Sequence, residues 1–209
     1  MGDIALLENL LRIYSPSGEE RGAVEYLTAE MSRMGFSAHI DGAGNAVGSL
    51  GDGPRQIVLL GHIDTVPGSI PVRVEEGKLY GRGAVDAKGP LACFTAAAAR
   101  LGNRHGWKIT VIGAVGEEAS SPGAKAIVDQ YRPQMVVIGE PSGWDHVCLG
   151  YKGSAWFRYR VDRPLAHTAA KAESACEAAV AFWNRASAWC QERNSGKERA
   201  FFQLTPTLR

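Results

Sequence analysis

Six side chains at four places in the sequence could jointly hold cations: His62 and Asp64 in GHIDTVPG, Asp86 in GRGAVDAKG, Glu117 and Glu118 in GEEASSPG, and Glu140 in GEPSG. One imidazole and five carboxylates crowded into a crevice would repel one another, raising carboxyl pKa values or opening the site, unless a dication neutralises them. Nitrogen and oxygen donors without a thiolate suit zinc, manganese or cobalt, and this many acids point to two ions sharing one bridging carboxylate. His62 and Asp64, two apart on an extended chain, face the same side. Asp64 is therefore expected to hold the far ring nitrogen of His62 and fix its tautomer, leaving the other nitrogen for a metal. Taken singly, HxD, a glutamate pair, GEP, or an aspartate near Lys88 is commonplace in solvated turns. Their shared position just beyond buried strands is what carries the reading.

The elements that must position them follow from periodicity. Apolar residues at helical spacing predict helices over 3–14 and 19–34, the second entered through Ser17 and Glu20, spaced as a capping box. FSAHID and NAVGSLG read as short strands around the turn GAG, and QIVLLG as a strand covered on both faces. Alternation around EEGK between Pro71 and Tyr80 predicts a hairpin over the sheet edge. An alanine-rich helix over 90–104 follows, then WKITVIGAV as a strand, PGAKAIVDQY as a helix, and QMVVIG and VCLGYKG as strands. This order predicts an α/β fold, a mainly parallel sheet flanked by helices, over residues 1–152. In such sheets ligands bind beyond the carboxyl ends of the strands, where these acids stand. Residues 153–209 change style, with WFRYRVD as an amphipathic strand, a helix from about Ala170 to Arg193, and AFFQLTPTLR as a final strand. They read as a separate small α+β unit.

Bulk composition restricts the function classes. Hydrophobic content of 45%, charged content of 22% and 25 glycines over 209 residues describe an ordinary globular chain rich in turns. No apolar run approaches the roughly 20 residues of a membrane span, and the first residues lack the pattern of a signal peptide, so a cytoplasmic protein without membrane partners is expected. The four cysteines, Cys93, Cys148, Cys176 and Cys190, show no CxxC pair and read as buried thiols. Net charge is −4 over residues 1–150 and +5 over 151–209. No basic run interleaved with aromatics supports nucleic-acid binding, and the basic second part could meet an acidic partner.

The four motifs, in this order and at this spacing, resemble the M20 family of dinuclear zinc peptidases and deacylases. The resemblance implies a zinc-peptidase-like catalytic domain whose complete site holds two divalent ions, zinc or cobalt, and hydrolyses a linear amide bond. It implies His62, Asp86, Glu118 and Glu140 as metal ligands, with Asp86 bridging and followed by a cis peptide to Ala87. Glu140 would complete the shell of the ion held by His62, and Asp64 would orient His62. Glu117 would act as general base, taking a proton from the attacking water and returning it to the departing amine. Residues 153–209 would begin the family's lid or dimerisation domain. His167 in PLAHTA would be the lid histidine that reaches a partner subunit's site and helps hold the oxyanion.

The family returns from the lid to the catalytic domain, which supplies a final histidine ligand. This chain stops at Arg209, so it is expected to be a truncated member or to draw that ligand from a second chain. His39 and His105 lie near turns, and His146 reads as a surface histidine.

GEPSGWDHVCLGYKG and EEASSPGAKAI resemble the hydrolases that release lysine or ornithine from an acidic amino-group carrier protein in lysine and arginine biosynthesis. The alternatives are a small-molecule deacylase, acting on acetylornithine or succinyl-diaminopimelate, and an inactive fragment serving only dimerisation through the helix that bears Trp183 and Trp189. A homodimer through the lid is expected in each case.

Overall fold

A computed structural model describes residues 3–143, 145–165, 167, 169 and 172–208. The chain divides into two units between Asp145 and His146, seven positions before the change of style at 152/153.

In the first unit, α1 (Asp3–Arg12) and α2 (Arg21–Arg33) bury Leu6, Leu10, Ala23, Leu27 and Met31, the apolar positions whose spacing predicts these helices. The expected capping box at the start of α2 does not form. Glu20 occupies the cap position without a side-chain cap bond, and the Ser17 hydroxyl donates instead to Asp64. The helix begins only at Arg21, which leaves Ser17 three residues short of the cap position, and its hydroxyl proton goes to a buried anion, a strong acceptor.

The sheet contains β1 (Ser37–Ile40), β2 (Ala46–Leu50), β3 (Arg55–His62), β6 (Trp107–Ala114) and β7 (Met135–Ile138) in the order β1-β2-β6-β3-β7. β3 runs parallel to both β6 and β7, while β2 is antiparallel to β1 and β6. Among the described strands of this sheet only β2 therefore opposes the common direction, and the sheet is mainly parallel as expected. The hairpin β4 (Arg73–Glu75) and β5 (Lys78–Tyr80) forms where alternation placed it, but as a separate two-stranded sheet.

Helix α3 (Lys88–Leu101) packs on β3 and β6 together with α1 and α2, around Leu6, Leu10, Leu27, Leu91 and Val111. Its approach depends on two strand glycines. A Cβ on Gly61 would stand 3.3 Å from Leu91 Cβ, and one on Gly113 would stand 3.1 Å from Leu27 and Leu91 side chains. The opposite face buries Val47, Val58, Ile112 and Ile127, the last from α4 (Pro122–Ile127). Val111 and Ile112 thus serve opposite faces, as neighbours on a strand must.

The second unit is built on α5 (Ala175–Asn194), opened by a complete capping box. Ser174 Oγ accepts from Glu177 N at 3.1 Å, and Glu177 Oε2 accepts from Ser174 N at 2.7 Å. Tyr159 stacks on Phe182 at 4.0 Å, and Asn194 clamps the backbone of Leu204 through two hydrogen bonds. Among the described residues the strands expected at VCLGYKG, WFRYRVD and AFFQLTPTLR are not formed, and Ala200–Phe202 is a 3-10 turn. A strand needs a second strand to satisfy its amides, and among the described residues of this unit none pairs. The cysteines also differ from expectation. Cys93, Cys148 and Cys176 are exposed and Cys190 is half-buried, all as free thiols. Cys93 follows Leu91 and Ala92 onto the outer side of α3, and on α5 only Ala178 is buried.

Candidate metal centre

The parallel register sets the site. His62 is the last residue of β3 and pairs with Ala114, the last of β6, so Glu117 and Glu118 leave the sheet beside it. On the other flank Leu60 pairs with Ile138, and Gly139 N donates to Leu60 O at 2.8 Å. The ladder thus runs one residue past β7 and delivers Glu140 level with His62. Asp86 comes from the loop before α3, and the Asp86–Ala87 peptide is cis.

His62 is 2% exposed. Its Nδ1 lies 3.0 Å from the Asp64 carbonyl oxygen and 3.4 Å from Asp64 Oδ1. The nearer partner is the main-chain oxygen, where the side-chain carboxylate was expected. A carbonyl can only accept, so Nδ1 keeps its proton and Nε2 is the nitrogen turned to the crevice. Nε2 stands 2.9 Å from Asp86 Oδ1 and 4.0 Å from Glu117 Oε2. Burial works against the imidazolium, but hydrogen bonds to Asp64 and Asp86 and the charges of Asp64 and Glu140 outweigh it, raising the His62 pKa to about 9.

Asp64, 0% exposed, organises the turn opposite. Oδ1 accepts from Glu117 N at 3.0 Å, and Oδ2 accepts from Glu118 N at 3.0 Å and from Ser17 Oγ at 2.7 Å. Burial pushes its carboxyl up, yet His62, Ser17 and the two amides favour the anion more and bring its pKa down to about 2.

The same loop is held from below by Asn45, 0% exposed, which accepts from Val115 N at 3.0 Å and donates to Gly123 O at 3.1 Å and Asp41 Oδ2 at 2.8 Å. Lys88 offers no ion pair to Asp86 among the described residues. Its buried ammonium donates to the carbonyls of Leu10 at 2.9 Å and Ile13 at 2.8 Å. Burial, only partly offset by the charge of Asp64, lowers its pKa to about 8.

Donor atoms of His62, Asp86 and Glu140 lie within 4.8 Å of one another, a possible site for a metal ion. Burial and then the charges of Glu117, Asp86 and Glu118 push the Glu140 carboxyl up, against the pull of His62. Burial, Asp86, Glu117 and Asp64 do the same to Glu118, again against His62. Burial leads both shifts and the neighbouring carboxylates add to it, and one imidazole with two carboxylates suits a divalent cation, which would neutralise that crowding. The residues present therefore fit a divalent metal.

Glu118 stands outside that three-residue group among the described residues. His167 belongs to the second unit, exposed, with Nδ1 accepting from Ala169 N at 3.2 Å. Sequence reasoning took Ser17 for a helix cap and missed its bond to Asp64, along with Asn45 and the anchoring by Lys88. The available signal was a lysine opening an apolar, alanine-rich helix.

The sequence model described as peptidase family M20/M25/M40 matches residues 58–204. A LysW-lysine hydrolase of Deinococcus radiodurans is 47% identical over 88% of this chain and 52% of its own length. A putative LysW-lysine/LysW-ornithine hydrolase of Thermococcus kodakarensis is 49% identical over 72% of this chain and 42% of its own. The chain thus spans about half the length of the curated relatives it matches. Among solved structures, aminopeptidase PepT from Bacillus cereus superposes with a TM-score of 0.57 at 23% identity, covering 68% of this chain and 43% of that one, a likeness of fold.

Proposed function

Because the chain belongs to peptidase family M20/M25/M40, we propose that its protein is a metal-dependent amide hydrolase releasing lysine or ornithine from an acidic amino-group carrier protein. The observation that carries the reading is the grouping of His62, Asp86 and Glu140 donor atoms within 4.8 Å beside the Glu117 carboxylate. His62, Asp86 and Glu140 would hold one divalent ion, zinc or cobalt, with Asp86 shared with a second ion bound by Glu118. When bound, such ions supply Lewis acidity at the amide carbonyl and neutralise the crowded carboxylates.

The chain's own residues do the rest. Glu117 is exposed to solvent and anchored at its amide by Asp64. Its carboxylate takes a proton from the attacking water and returns it to the departing amine, so that acid and base are one group acting in sequence. Asp64 keeps His62 protonated on Nδ1 and fixes the backbone from which Glu117 and Glu118 project. The net charge of +5 over residues 151–209 favours an acidic carrier. The names of the two relatives above supply the substrate class. His167 is assigned to oxyanion contact across a homodimer formed through the lid, residues 153–209.

The test is to load the protein with zinc or cobalt and follow free lysine and ornithine released from the aminoacylated carrier, against acetylornithine and succinyl-diaminopimelate. Release from the carrier at a kcat/KM at least about tenfold higher supports the reading, and preference for a small acylated amino acid overturns it.

A further inference from the structure

Ser17 stands outside the four motifs that supply the metal centre, in the link between α1 and α2. That link, Ser15-Pro16-Ser17, lies alongside the residues that follow β3. Thr65 N donates to Ser15 O at 3.0 Å, Ser15 Oγ donates to Ile63 O at 3.0 Å, and Pro16 pairs in parallel with Thr65. Upstream, Lys88 holds the carbonyls of Leu10 and Ile13, so the link is pinned on both sides of its entry. The result is a hydroxyl delivered 2.7 Å from Asp64 Oδ2.

The geometry points to Ser17 as a positioning residue of the metal centre, whose hydroxyl holds the Asp64 carboxylate in the orientation that serves His62, Glu117 and Glu118 together. A carboxylate turns readily about its terminal bond, where the torsional preference is broad. Each oxygen of Asp64 accepts one backbone amide, and Oδ1 also faces His62 Nδ1 at 3.4 Å. Ser17 is the further donor, on the oxygen turned away from His62. Without it a fully buried anion loses one charge-assisted bond and has no solvent to replace it. The carboxylate then rotates or shifts, and the Glu117–Glu118 backbone and the His62 ring move with it.

The inference rests on the metal-site reading above. The experiment titrates Co2+ into the metal-free 209-residue chain, with calorimetric Kd and the visible cobalt absorption as readouts and metal-free Tm as a separate measure of folding. The variants are Ser17→Ala, Ser17→Thr, Ser17→Val and His62→Ala. Ser17→Ala is expected to weaken the His62-dependent Co2+ site by about 10- to 100-fold, in the range for removing a residue that orients a ligand. Ser17→Thr, which keeps the hydroxyl, should stay within about threefold of the unaltered chain.

Thr and Val share a shape and differ in the hydroxyl, so that pair decides the matter if the alanine variant does not fold. Equal Kd values for Thr and Val, or an unchanged Kd in folded Ser17→Ala, overturn the role of Ser17 alone, whatever happens to Tm. An unaltered chain that binds no Co2+, or binds it equally after His62→Ala, overturns the site reading and Ser17's role with it.

Discussion

The carboxylate of Asp64 accepts the backbone N–H of Glu117 at 3.0 Å, joining residues 53 positions apart. Through this bond and its companion from Glu118, a residue at the end of β3 sets the backbone of the loop after β6. One buried anion thus couples the imidazole and the acids of the centre.

Asp64→Asn tests that coupling. The amide offers one accepting oxygen to a ring of donors and turns an NH2 group towards the rest, so at least one buried donor is left unpaired. Urea unfolding of the metal-free protein should show a loss of about 3 kcal/mol. A loss below about 1 kcal/mol would mean that the donors find other partners.

The pH dependence of metal-free stability has two limbs. Asp64 sits at about 2 in the folded chain, below an ordinary carboxyl near 3.9. Its contribution is present above about pH 4 and lost as pH falls towards 2. His62 is raised to about 9, so its contribution is full below about pH 6.5 and lost as pH rises through 9. Lys88 acts oppositely. Its folded pKa of about 8 imposes a cost at lower pH that is relieved between 8 and its ordinary value near 10.4. The urea midpoint should therefore fall between pH 6.5 and 8 through the loss of the His62 charge, and His62→Asn should reduce that slope. A midpoint unchanged over this interval in the unaltered chain would contradict the imidazolium.

Glu117→Gln separates proton transfer from metal holding. The variant should bind divalent metal as the unaltered protein does and lose about 100- to 10,000-fold in kcat. The two readouts are metal content after dialysis and amine release under saturating substrate. Loss of metal in parallel with activity would instead make Glu117 a ligand.

Asn45→Ala removes the side chain that joins Asp41, Val115 and Gly123. With one buried and two half-buried partners left unserved, chemical denaturation should report a loss of about 2–4 kcal/mol. Gly123→Ala should act in the same direction, because its Cβ would stand 2.2 Å from Asn45 Oδ1. Hydrogen exchange of the amides of residues 115–118 should rise in both variants, and unchanged exchange would show that the loop does not depend on Asn45.

Much of this architecture was legible in local sequence. The strands QIVLLG, WKITVIGAV and QMVVIG form close to where their apolar runs lie. The chemistry-bearing residues follow from the strand ends, because a parallel sheet collects at one edge whatever its strands carry past their carboxyl termini. His62 and Glu140 follow from that rule, whereas Asp86 comes from the loop before α3 and was joined to them by the family resemblance.

Long-range pairing decided the remainder. Ser17 and Glu20 carry the spacing of a capping box, yet the helix starts at Arg21 with Glu20 at the cap, and the Ser17 hydroxyl donates to a buried anion 47 residues away. WFRYRVD has the alternation of a strand and forms none, since alternation describes a side-chain pattern and a strand exists only with a partner. Cys93 lies in a helix whose inner side could be read from its alanines, but its exposure depended on which side met the sheet. Sequence by itself determined which residues could do chemistry and which strand ends they follow. Tertiary structure alone decided which hydrogen-bond donors reach Asp64, because competition among partners distant in the chain is settled only when the chain has closed around them.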